Sequence, residues 1–125
     1  MITGKVDTEV AKAVADAFFT LYEVDDTDEK PEAYDAIVEY ARSGCLYVED
    51  GAILWDPDGQ LGGPVKFQEA DGFALAKAFE TRPKDPQDLG MVKICAAITG
   101  TSVNKLRKLK LRHARMVHRF AVVLI

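Results

Sequence analysis

The stretch Cys45-Leu46-Tyr47-Val48-Glu49-Asp50-Gly51-Ala52-Ile53-Leu54-Trp55 decides the fold class. Two β-favouring runs flank an Asp-Gly pair, and such a pair accepts the positive φ angles of a two-residue hairpin turn. On either side of these residues the apolar period is 3.6 rather than 2. The chain therefore reads as α+β, with an N-terminal helical pair, a central β-hairpin or small antiparallel sheet, and C-terminal helices.

Upstream, Asp7 or Thr8 can cap a helix with an apolar face of Val10, Val14, Ala17, Phe18 and Leu21. The acidic run Asp25-Asp26-Thr27-Asp28-Glu29-Lys30 reads as a solvated connection, and it lacks the glycine and distal Glu of a calcium loop. Pro31 suits the first position of a second helix, with Tyr34, Ile37, Val38 and Ala41 facing inward and Gly44 closing it. A single domain, 1–125, is expected, with the natural seam near residue 44.

Downstream, Asp56-Pro57-Asp58-Gly59 makes a turn. Its first residues imitate a calcium loop, but the twelfth position is Phe67, which cannot ligate. Val65-Lys66-Phe67 reads as a third short strand. Asp71 can cap a short helix through Glu80, and Pro83 and Pro86 bracket a rigid loop. The next helix carries Leu89, Val92, Cys95, Ala96 and Ile98, and Gly100 ends it. Ser102 caps another, whose stripe runs Leu106, Leu109, His113, Val117, Phe120 and Leu124, with a break expected near Lys110 because Leu111 leaves the stripe. The expected core includes Phe18, Ile37, Leu54, Trp55, Phe79, Val92 and Ile98.

Charge is distributed unevenly. Residues 1–88 hold all 20 acids and 8 Lys/Arg, whereas residues 89–125 hold 8 Lys/Arg and no acid. The net charge of −4 thus hides halves that attract each other, or attract partners of opposite sign. No apolar run reaches the roughly 18 to 20 residues needed to cross a bilayer, and no membrane partner is expected. No basic segment precedes an apolar run at the N-terminus, so no signal peptide is expected. Cys45 and Cys95 lack CxxC spacing and read as small core residues of an intracellular chain.

Catalytic signatures are missing. The glycines have neither GxGxxG nor GxxxxGK spacing, and there is no GxSxG elbow. His113 and His118 are five apart and diverge on a helix, so they cannot share a metal as i, i+4 histidines do. His113 reads as half-buried and His118 as solvated. No catalytic, cofactor-binding or metal-binding residue is assigned, and an enzyme is not expected.

Phe67, Glu69-Ala70-Asp71-Gly72, a Pro/Asp connection, and then Thr99-Gly100-Thr101-Ser102, Leu106 and Leu109-Lys110-Leu111-Arg112 resemble the tail assembly chaperones of long-tailed bacteriophages and related prophages. The resemblance covers about residues 45–120. It departs at His113, where that family commonly has an acid, and it leaves the N-terminal helical pair uncovered. It implies a non-enzymatic factor of the bacterial host cytoplasm. Its partner would be the tape measure protein or another tail protein, with self-association also open. The expected partner surface is Arg107, Lys108, Arg112, Arg115, Arg119, Phe120 and Leu124. Two other readings remain. One is a nucleic-acid-binding module using the basic C-terminal helix, disfavoured by the acidic chain and the lack of interleaved aromatics. The other is a structural tail component.

Overall fold

A computed structural model describes residues 6–24, 27–69 and 89–124. Helix α1 (Thr8–Leu21) begins where the Asp7 side chain accepts from the Glu9 amide at 2.9 Å. A 3-10 turn at Thr27–Glu29 leads to α2 (Pro31–Arg42), which has Pro31 at its first position. Gly44 takes φ +86° after it, a conformation open to a residue without Cβ. Strands β1 (Leu46–Glu49) and β2 (Ala52–Trp55) then form the expected hairpin. Leu46 faces Trp55 and Val48 faces Ile53, while Asp50 and Gly51 both take positive φ in the turn. Strand β3 (Val65–Lys66) adds antiparallel to β2, giving the sheet order β1-β2-β3.

Three helices complete the described chain: α3 (Leu89–Thr99), α4 (Val103–Arg107) and α5 (Leu111–Val123). Gly100 has φ +67°, and the Ser102 side chain accepts from the Lys105 amide, as their spacing suggests. The expected break falls at Lys110, whose ψ of 151° is extended. Its amide donates instead to Gln60 Oε1 at 2.9 Å. The helix expected over residues 71–80, the core position Phe79 and the proline loop lie outside the described residues.

The α1/α2 pair packs on the sheet, and α5 lies against α2 and α3. Phe120 of α5 is fully buried where these elements meet. Its ring lies 5.3 Å from Phe18 (α1), 6.2 Å from Tyr40 (α2), 5.2 Å from Trp55 (β2) and 5.0 Å from Phe67, centroid to centroid. The apolar C-terminal run is therefore covered by the protein's own core through Phe120, Ala121 and Val123.

Several expected positions differ. Val10 is 51% exposed, and the buried α1 residues are Ala11, Val14, Ala15, Phe18 and Phe19. Because α1 touches both α2 and the hairpin, its buried arc is wider than one stripe and is rotated away from Val10. On α2, Ala33 and Tyr40 are buried with Ile37 and Ala41, whereas Tyr34 and Val38 are only partly covered. Leu54 is half-buried, since neighbouring strand residues point to opposite faces and Trp55 takes the core side. His113 is fully buried rather than half-buried.

Two consequences are measurable. Phe120→Ala should destabilise the fold by about 3–5 kcal/mol in urea denaturation, because the cavity would open among four rings. The second concerns Tyr22, whose hydroxyl donates to the Gln68 carbonyl at 2.8 Å. Burial, with the Cys95 thiol nearby, pushes its phenol well above the ordinary 10. A group with a raised folded pKa contributes stability that is complete below its unfolded pKa and lost as pH rises toward the folded one. Stability should therefore decline above about pH 10, and less steeply in Tyr22→Phe, when unfolding is followed by circular dichroism against pH.

Candidate functional site

Helix α5 divides sharply between its two faces. Inward it buries His113, Met116, Val117, Phe120, Ala121 and Val123, while Arg112, Arg115 and His118 stand exposed. Arg107 and Lys108 extend the cationic surface from the end of α4. Arg115 and His118 border two open grooves. One, of about 580 Å³, runs along α2 beside Ala36, Arg112 and Arg119. The other, of about 320 Å³, runs toward α3 and α4 beside Val92 and Arg107.

Part of this charge is answered within the fold. Arg119 lies 3.8 Å from Glu32, and Arg112 lies 3.9 Å from Asp58. Both pairs are solvent-accessible, so each contributes about 0–1 kcal/mol. Lys30 donates to the Val122 carbonyl at 2.7 Å and so satisfies an orphan acceptor at the end of α5. Among the described residues Arg107, Lys108 and Arg115 make no ion pair. The structure thus places Arg107, Lys108, Arg112, Arg115 and Arg119 together on the surface. It does not place Phe120 and Leu124 there: Phe120 is 0% exposed, and Leu124 packs against the core. Those two are removed from the partner surface, because the stripe they belong to is already buried.

Beneath Arg112 runs a chain of short hydrogen bonds that the periodicity did not reveal. Trp55 Nε1 donates to Tyr40 Oη at 2.7 Å, Tyr40 Oη meets His113 Nδ1 at 2.7 Å, and His113 Nε2 meets Asp58 Oδ2 at 2.8 Å. An indole can only donate, and burial keeps the Tyr40 phenol protonated by raising its pKa. Tyr40 Oη therefore accepts from Trp55 and shares its second hydrogen bond with His113 Nδ1, while Nε2 faces the carboxylate. The His113 hydrogen bond, helped by Arg112, holds the Asp58 carboxyl below its ordinary range. Asp58 itself sits at φ +52°, and the Asp56 carboxylate accepts from the Gly59 amide at 2.9 Å, which shapes the turn presenting it.

Cys45 completes the cluster. Its sulfur lies 3.8 Å from both Asp58 Oδ1 and Arg112 Nη2. The donor atoms of Cys45, Asp58 and His113 all fall within 4.8 Å of one another. Sequence spacing could not suggest this grouping, since the three residues come from separate elements. Cys95 is fully buried elsewhere, and burial pushes its thiol upward, so it is an inert core residue. A further cavity of about 730 Å³ beside Leu21, Val48 and Phe67 offers Lys66 and Glu69 as its charged groups and no buried titratable one.

In comparisons with protein-family models, curated proteins and solved structures, nothing matches this chain. No helix among the described residues is long and apolar enough to cross a membrane.

The relay has a direct energetic consequence. Tyr40→Phe would leave the Trp55 N–H and His113 Nδ1 buried without partners, at about 1–3 kcal/mol for each such group. Urea denaturation should show a loss of about 2–6 kcal/mol with little change in overall helicity.

Proposed function

We propose that this protein is a non-enzymatic binding factor that uses the cationic face of α4 and α5 to hold an acidic, amphipathic helix of a protein client. The observation that carries the reading is the run of exposed Arg107, Lys108, Arg112 and Arg115 with the half-exposed Arg119 and no acid, bordering two grooves with apolar walls. A client helix of this kind places carboxylates over the arginines and a few apolar side chains into the grooves. Charge then governs encounter and orientation, while the buried apolar area supplies affinity.

The resemblance to phage tail assembly chaperones gives the reading its biological form. The client is then the tape measure protein, held in the host cytoplasm before tail subunits assemble around it. A nucleic-acid partner fits the cations less well. The lone Phe, Tyr or Trp of α4 and α5, Phe120, is buried and cannot stack on bases, and the acidic remainder of the chain repels a polyanion.

The test replaces Arg107, Arg115 and Arg119 with Glu and leaves Arg112 in place, because Arg112 belongs to the Asp58 cluster. The triple variant should melt within a few degrees of the parent, since exposed ion pairs are worth only about 0–1 kcal/mol each. Its binding to the co-expressed tape measure protein should weaken by at least roughly tenfold in calorimetry. Unchanged client binding would overturn the reading. A salt-sensitive complex of the parent with DNA or RNA, lost in the variant, would replace it with nucleic-acid binding.

A further inference from the structure

We propose that Cys45, Asp58 and His113 constitute a Zn²⁺ site with one position left open to solvent. The three residues supply the sulfur, oxygen and nitrogen donors that zinc accepts, and a thiol among them disfavours calcium or magnesium. They converge from the start of β1, the turn after β2 and the first turn of α5. The hairpin sets Cys45 beside the turn, where its carbonyl accepts from the Asp56 amide at 2.8 Å, and α5 brings His113 to the same point.

The spacing suits the ion. With Zn–S near 2.3 Å and Zn–N and Zn–O near 2.0–2.2 Å, tetrahedral donors stand about 3.3–3.7 Å apart. The observed separations are 2.8 Å for His113 Nε2 to Asp58 Oδ2, 3.8 Å for Cys45 Sγ to Asp58 Oδ1, and at most 4.8 Å between any two donor atoms. Adjustments of about 1 Å close the set, and Asp58 can make them because its side chain is 54% exposed. His113 is held from behind by Tyr40, and the Cys45 side chain makes the rest of the adjustment.

The outer groups fit as well. A zinc-bound histidine usually hydrogen-bonds through its other nitrogen, which fixes ring orientation and tautomer. Here Tyr40 stands at Nδ1, and Trp55 in turn fixes Tyr40. With the metal on Nε2, the ring keeps one proton, on Nδ1, and donates it to Tyr40 Oη. Tyr40, which goes on accepting from Trp55, turns its own proton toward Cys45. The thiol proton leaves to solvent, so thiolate and carboxylate together balance the two charges of the ion.

Arg112 is the competitor. Its guanidinium supplies the positive charge beside Cys45 and Asp58, at 3.8 and 3.9 Å. With 57% of its side chain exposed, it can withdraw into solvent when a metal arrives. Metal binding therefore frees one more arginine on the outer face of α5.

The experiment uses the full chain, reduced and stripped of metal, titrated with Zn²⁺ in calorimetry against a competing chelator and with Co²⁺ by absorption. The parent should take up one ion per chain, and its Co²⁺ form should show a thiolate-to-cobalt charge-transfer band. Cys45→Ser and Asp58→Asn each nearly keep side-chain volume, and circular dichroism confirms their folding. Each should lower affinity by about 100-fold or more, a larger loss than outer partners cause. Cys95→Ser should bind as the parent does. Arg112→Gln should bind roughly tenfold more tightly, because a like charge near the ion is removed. No stoichiometric uptake by the folded parent, a Co²⁺ spectrum without the thiolate band, or undiminished binding in Cys45→Ser would each overturn the proposal. None of these readouts depends on a protein client.

Discussion

The hydroxyl of Tyr40 is the constraint on which the interior depends. It accepts from Trp55 on β2 and pairs with His113 Nδ1 on α5, while its own backbone belongs to α2. A buried polar atom in an apolar interior must be paired, and a pairing that spans three elements admits one mutual arrangement of them. The apolar contacts alone are less selective. Phe120 meets Phe18, Tyr40, Trp55 and Phe67 at comparable distances, and a cluster of rings tolerates small rotations. The relay removes that freedom, because a turn of α5 large enough to slip one residue would break both hydrogen bonds of His113, to Tyr40 and to Asp58.

The same helix answers the charge asymmetry only in part. The acidic α2 offers Glu32 to Arg119, and the turn offers Asp58 to Arg112. Such pairs lie in water and hold little energy, so they orient side chains without neutralising the face. Arg115, between them on the helix, faces solvent with His118. The buried apolar stripe therefore holds the basic helix beside the acidic one, and the weak ion pairs leave a cationic strip exposed to solvent.

What the sequence made legible was whatever short-range geometry enforces. Asp50-Gly51 had to turn with positive φ, Ser102 had to cap, and Leu111 could not stay on the stripe of Leu106 and Leu109, so hairpin, cap and break stand where expected. Faces set by two partners were harder to read. Val10 continues the stripe of Val14 and Phe18, yet α1 meets the hairpin as well as α2, and Phe19 takes the place that Val10 lost. Leu54 and Trp55 looked alike in hydrophobicity, and only the pleat decides between them. The cations of α5 were legible because helical spacing alone brings them together. The cluster around His113 was not, because Asp58 and Tyr40 lie 55 and 73 residues away and no local period connects them.

Arg112 joins the two parts of the site, and its position has a physical reason. A carboxylate held beside a thiol and an imidazole gathers negative potential at the mouth of the relay, and a cation there lowers it. Arg112 follows α5 residue Leu111 and directly precedes His113, so the helix that buries the imidazole also brings the guanidinium to its rim. That charge is mobile: the side chain is more than half exposed and its contacts to sulfur and carboxylate are long. A metal ion offers the same neutralisation at shorter range and with directional bonds. When it does so, the displaced guanidinium has one place to go, the outer face it shares with Arg115 and Arg119. Under the metal-site proposal, occupancy of the cluster and the charge on the outer face of α5 are linked through a single side chain.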